Sequence, residues 1–228
     1  MDPNRTEAAA PGGGESVRVA VWDRPVRVVH WLLVLLIAFS WWTAEEEMME
    51  WHQRSGIALL GLLVFRLVWG LIGSSTARFA SFVRGPGTIV GYLRGRTQSP
   101  IGHNPLGALS VLALLGALGL QIGLGLFAAD DDWLWPGPLS GFVGEDLAED
   151  IADWHESTFN VLLAVIALHV AAIAFYLLVK RRNLVRPMVT GVTEAPAGTE
   201  PMKVAGGVRF FVAAAAAFGA VSLVWMQA

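Results

Sequence analysis

Residues 154–173 read WHESTFNVLLAVIALHVAAI, and this stretch decides the fold. After a short polar start it is a continuous apolar run, the length and composition of a membrane-spanning helix. His155 and His169 lie 14 residues apart in it. At 3.6 residues per turn that is within about 40° of four full turns and roughly 21 Å of rise, so the two rings share one face at two depths. A titratable ring at membrane depth is costly without a metal, a carboxylate or a backbone carbonyl to partner it. The facing helices must therefore supply partners at two levels.

The rest of the chain agrees with a bilayer setting. Of 228 residues, 54% are apolar and 15% charged, and the mean hydropathy is +0.53, which leaves too little polar surface to cover the protein in water. Cysteine is absent, so this chain has no disulfide, thiolate zinc site, iron–sulfur cluster, covalent haem attachment or thiol nucleophile. Five runs predict transmembrane helices: Val28 to Thr43, Trp51 to Ile72, Pro105 to Ala128, Trp154 to Val179 and Val208 to Trp225. Most of the ten tryptophans fall at span ends, as an aromatic belt requires. The expected organisation is a tail over residues 1–17, a four-helix transmembrane domain over 18–189, a flexible linker over 190–206 and a C-terminal transmembrane helix over 207–228. Phe79 to Leu93 is expected to lie along the inner membrane surface.

Charge orients the spans. Arg5, Arg18, Arg24 and Arg27 precede the first, Arg78, Arg84, Arg94 and Arg96 separate the second from the third, and Lys180, Arg181, Arg182, Arg186 and Lys203 follow the fourth. The alternate loops carry Glu45 to Glu47, Glu50, Asp130 to Asp132, Glu145, Asp146, Glu149, Asp150 and Asp153. The positive-inside rule then predicts an inner (cytoplasmic) bacterial membrane protein with a cytoplasmic N-terminus and a periplasmic C-terminus. The first span is too long and too far from Met1 for a signal peptide, so it is expected to stay in the mature chain.

All five histidines lie in or beside the first four spans. His52 and His155 both open spans on the acidic side. His30 lies about 22 Å below Glu45, matching the depth of His169 below His155. Two level pairs result, His52 with His155 and His30 with His169. Paired imidazoles on facing helices are how a bundle holds haem axially, which predicts two non-covalent b-type haems and electron transfer rather than oxygen binding. Arg66, 14 residues after His52, is positioned to meet a haem propionate at the inner site, and Arg54 to do so at the outer one. An interfacial or packing histidine is the alternative for each ring. For His103, beside Asn104 and Pro105, that alternative is preferred: it reads as a helix-start or interfacial residue.

The runs RPVRVVHW (residues 24–31), WHQRSG with FRLVWGLIGSSTARF (within 51–79), HNPLGALSV (103–111) and the quoted fourth span resemble the bacterial cytochrome b561 family, which includes the cytochrome b subunits of nickel–iron hydrogenases. The resemblance covers roughly residues 19 to 190. It implies that His30, His52, His155 and His169 ligate two b haems, and that electrons pass between a periplasmic c-type cytochrome, dehydrogenase or hydrogenase and membrane quinone.

Two features fall outside it. The fifth span lies beyond it; its stretch FFVAAAAAFGAVSLVW (210–225) has no titratable group, and Ala213, Ala217, Gly219 and Ala220 suggest a contact face within the bundle, in a homodimer or in a larger complex. The acidic loop from Ala129 to Asp153 is long enough to dock a basic partner. Two other functions fit less of the pattern: a stand-alone oxidoreductase passing electrons from a small molecule such as superoxide to quinone, and a haem-free membrane anchor. No phosphate loop, catalytic triad or nucleic-acid patch is visible.

Overall fold

A computed structural model describes residues 16–96 and 101–227. Of the expected N-terminal tail, only Ser16 and Val17 fall within the described residues. In chain order the elements are β1 (Ser16–Ala20), α1 (Arg24–Glu45), α2 (Met49–Ile72), α3 (Phe79–Phe82), α4 (Pro86–Leu93), α5 (Pro105–Phe127), α6 (Glu145–Leu178), α7 (Val185–Thr190), β2 (Val192–Pro196) and α8 (Gly207–Trp225). Five of these, α1, α2, α5, α6 and α8, are long and apolar enough to cross a membrane. Helix is the form that a single span must take in lipid, because it satisfies its own backbone N–H and C=O groups.

Asp23 shows how local chemistry starts a span and ties it to its neighbour. Its Oδ1 accepts from Val26 N at 2.8 Å, capping α1, and Pro25 sits in the first turn, where its missing N–H costs nothing. Its Oδ2 accepts from the indole N–H of Trp69 at 2.9 Å, joining the start of α1 to the end of α2. Asn104 repeats the device on α5, accepting from Gly107 N at 2.7 Å. Tyr176 gathers the same end of the molecule: its hydroxyl lies 2.9 Å from that of Tyr92 and accepts from Asn104 Nδ2 at 2.8 Å.

Helix α2 is the most buried of the five spans and contributes to both apolar cores. One core joins Val21, Trp22, Val26, Val29, Phe65, Trp69, Ala77 and Ala213 at the basic end. The other joins Leu59, Leu63, Leu118, Ile122 and Leu162 at mid-depth. The outer faces keep large apolar side chains exposed, including Leu168, Leu178, Phe211 and Phe218, as lipid-facing surfaces do.

Two expectations are corrected. The segment read as a flexible linker contains β2, which pairs antiparallel with β1 in the register Ser16↔Pro196 to Ala20↔Val192. Alternation in SVRVA and VTEAP drives this, with Val19 and Ala195 turned inward and buried. The boundary drawn after residue 17 therefore cuts a strand. The acidic loop is shorter than read, because α6 begins at Glu145. Buried Ala148 and Ile151 anchor that extension, and Glu145 and Asp146 favour a helix N-terminus. Segment 79–93 is helical in two pieces. It breaks at Val83 to Gly85 into α3 and α4, with Phe82 buried and Phe79 against Gly70, where a Cβ would lie 2.1 Å from the ring.

Of the three settings open to the last helix, the structure shows packing within the chain: α8 lies along α2, with Ala213 fully buried. Its approach is pinned by hydrogen bonds from Lys203 N to Ser75 Oγ and from Ala205 N to Ser74 Oγ, both 3.0 Å. Ala213→Phe is expected to overpack this contact at a cost of about 1–3 kcal/mol. Thermal unfolding in detergent should show a lowered midpoint, and limited proteolysis should show faster cleavage between residues 197 and 206.

Candidate functional site

At the acidic end α2 and α6 bring two imidazoles together. The ring centroids of His52 and His155 lie 6.0 Å apart with an interplanar angle of 84°. Each ring is held through Nδ1 by a neighbouring helix: His52 Nδ1 lies 2.9 Å from the Ser40 carbonyl oxygen on α1, and His155 Nδ1 lies 2.9 Å from the Gln121 carbonyl oxygen on α5. A carbonyl only accepts, so in both rings Nδ1 carries the proton and Nε2 keeps its lone pair. This is the arrangement of a metal-ligating histidine, whose other nitrogen donates to a carbonyl or carboxylate.

Gln121 does more than lend a carbonyl. Its amide nitrogen donates to the His155 carbonyl at 2.9 Å, and its Oε1 accepts from Thr158 Oγ1 at 2.8 Å. That nitrogen is also 3.3 Å from both nitrogens of the His155 ring. Equal distances place it over the ring face and not in line with either lone pair.

The second pair is arranged differently. On α6, His169 Nδ1 lies 3.0 Å from the Ser110 hydroxyl on α5. On α1, the Nδ1 of His30 is buried without a hydrogen-bond partner, and its ring meets Trp31 edge-on at 5.0 Å. Among the described residues, ring contact joins only the acidic-end pair.

The two arginines differ in placement. Arg66 is buried, with its guanidinium over the Phe79 ring at 5.1 Å and a single long bond from Nη1 to the Ala77 carbonyl at 3.5 Å. A fork of five donors is thus mostly unspent in an apolar setting, and an anionic group would use it. Arg54 is not brought to the acidic-end pair. It pairs with Glu50 at 2.5 Å and lies over the Trp51 ring at 5.4 Å, facing outward.

His103 is not the interfacial residue expected. Its ring is clamped between Trp22 at 4.6 Å and Phe82 at 4.4 Å, with Nδ1 buried and unpartnered. The helix-start role belongs to Asn104. Burial, then the positive charge of Arg66, then His169 push its pKa down to about 3. Glu156, although next to His155, is exposed.

Ser40, Ser110, Gln121 and Gly125, whose missing side chain lets the His155 ring approach α5, escaped the sequence reading. A signal for two of them was present. Ser110 and Gln121 are the only polar side chains in the apolar helix PLGALSVLALLGALGLQIGLGLF. They lie 11 residues apart, within about 20° of three full turns, and so share the face turned to α6.

Donor chemistry narrows the cofactor. Among the described residues, no three His, Cys, Asp or Glu side chains gather to hold a bare ion. The two imidazoles at the acidic end suit a metal whose remaining ligands come from its own macrocycle. The 6.0 Å between His52 and His155 matches one metal ion on two nitrogen bonds of roughly 2 Å each, once the ring radii are added. Haem fits the residues present.

A family model described as prokaryotic cytochrome b561 matches residues 21–191. No curated protein and no solved structure matches the chain. The matched region ends at Gly191, so β2 and α8 lie beyond it.

His103 supplies a pH test. With its folded pKa below the ordinary 6.5, the unfolded chain binds more protons between pH 6.5 and about 3, so this residue's contribution to stability falls as pH drops through that window. His103→Phe keeps an aromatic ring between Trp22 and Phe82. It should lose less thermal stability than the wild type when the pH is lowered from 7 to 5.

Proposed function

Because the chain belongs to the prokaryotic cytochrome b561 family, in which membrane b-type cytochromes transfer electrons, we propose that it holds two haems stacked across the membrane and carries electrons between a periplasmic donor or acceptor and membrane quinone. The observation that carries this reading is the His52–His155 pair, two rings 6.0 Å apart with both Nδ1 atoms committed to carbonyls. His52 and His155 would hold the outer haem, and His30 and His169 the inner one. When bound, each haem supplies a reversible one-electron iron couple.

The chain's own residues set the terms of that chemistry. His52 with His155, and His30 with His169, would each hold a haem without leaving a site for oxygen, which favours electron transfer. Carbonyl acceptors at Ser40 and Gln121 fix the tautomer of the outer rings, so that Nε2 needs no deprotonation before it can ligate. The buried guanidinium of Arg66 would neutralise an inner haem propionate, placing a charge-assisted hydrogen bond where hydration is unavailable. Asp130, Asp131 and Asp132 are exposed at the acidic end, where their field would steer a basic redox protein toward the outer haem.

Arrangement at two depths has an energetic consequence. An electron crossing the full low-dielectric layer would couple to the membrane potential at about 2.3 kcal/mol per 100 mV. Helix α8, beyond the family region, would brace α2, which carries both His52 and Arg66.

The test is spectroscopic. Purified protein should give the reduced-minus-oxidised spectrum of low-spin b haem at two per chain. His52→Ala should lose the outer haem alone and His169→Ala the inner alone. A colourless, folded preparation would favour a haem-free anchor, and a single haem lost equally in both variants would refute the two-level pairing.

A further inference from the structure

We propose that Gln121 and Gly125 of α5, a helix that bears none of the four ligands, form the seat that positions His155 as ligand to the outer haem, and that this seat lowers that haem's potential. The inference rests on His155 being a ligand. It starts from the spacing of the two residues, which are one helical turn apart. In an α-helix the carbonyl of residue i points toward residue i+4, so the side chain at 125 governs access to the carbonyl of 121. Gly125 has none. A Cβ there would lie 2.7 Å from Cε1 and 3.1 Å from Nδ1 of the His155 ring, closer than the ring can tolerate.

The glycine thus admits the imidazole to the Gln121 carbonyl, which has a second lone pair beyond its helical bond and accepts the Nδ1 proton at 2.9 Å. The Gln121 side chain then holds the backbone that carries the ring, through its amide bond to the His155 carbonyl and its Oε1 bond from Thr158. One residue therefore grips His155 at both the ring and the main chain.

This closeness is particular to position 125. A Cβ at Gly116 or Gly123 would meet nothing within 4 Å, and one at Gly119 would make ordinary contact with Leu63 at 3.6 Å. General small-residue packing between α5 and α6 does not single out 125, whereas seating a ring does. A carbonyl acceptor on Nδ1 makes the imidazole a stronger electron donor and favours the ferric state. Weakening the seat should therefore raise the outer potential.

Redox titration of the haem absorbance of the purified holoprotein tests this. His52→Ala identifies the outer wave by its loss. Alanine is the better helix former by about 1 kcal/mol, so Gly125→Ala does not weaken α5 itself. Gly125→Ala is expected to shift the outer wave to higher potential, or to lose the outer haem alone, with the inner wave unmoved. Gln121→Met, close in size, should move the outer wave in the same direction, while Gly123→Ala should leave both waves in place.

An outer wave unmoved in either seat variant would overturn the proposal. So would equal shifts of both waves, or loss of both haems, since those outcomes report packing of the bundle as a whole. A wild-type protein without haem would instead sink the haem assignment, a separate failure.

Discussion

An imidazole N–H within a bilayer has no water to bond, and the packing of the helices answers that demand. His52 and His155 reach main-chain carbonyls on α1 and α5, and His169 reaches the Ser110 hydroxyl. Each of these bonds runs between helices, so satisfying a ring also sets the distance and rotation of two spans. Such bonds are worth modest energies in membranes, with model-peptide values of about 1–2 kcal/mol. Their weight here lies in direction: with the Nδ1 protons of His52 and His155 given to carbonyls, Nε2 of each keeps its lone pair.

Two helices without proposed ligands give the ligand-bearing ones their places. Helix α5 touches both histidines of α6, through the Ser110 hydroxyl at His169 and through the Gln121 carbonyl and side chain at His155. Helix α8 lies along α2, burying Ala213 against the core formed by Trp22, Phe65 and Trp69. The β1–β2 pair and the bonds from the chain around Lys203 to Ser74 and Ser75 draw residues 16–20 and 192–205 to one end of the spans. In sequence these contacts are distant; in the fold they form one clasp beside Asp23 and Trp69.

The two histidine pairs are unlike in their surroundings. The acidic-end rings touch and are carbonyl-bound, while at the basic end His30 keeps an unpartnered Nδ1 and Arg66 an unspent guanidinium. These are the polar groups that an apolar interior leaves for a bound anion or metal complex to complete. His103, neutral between two aromatic rings, belongs to the packing of the same end. Polar residues near one another in a membrane domain thus divide into those whose partners are already present and those that await one.

The helical character, the five candidate spans, the shared face of His155 and His169 and the family were all legible in the sequence, because each follows from periodicity, length or a local motif. Membrane insertion selects for such one-dimensional signals: apolar runs of fixed length, charges at their ends, and a rotation of 100° per residue. Tertiary structure alone decided which carbonyl each ring meets, that Arg54 turns to Glu50 while Arg66 stays buried, that His103 lies between Trp22 and Phe82, and that 192–196 is a strand. Those outcomes depend on the rotation and separation of helices far apart in sequence, and a main-chain carbonyl or a glycine's missing Cβ leaves no mark in side-chain chemistry until another helix comes to rest against it.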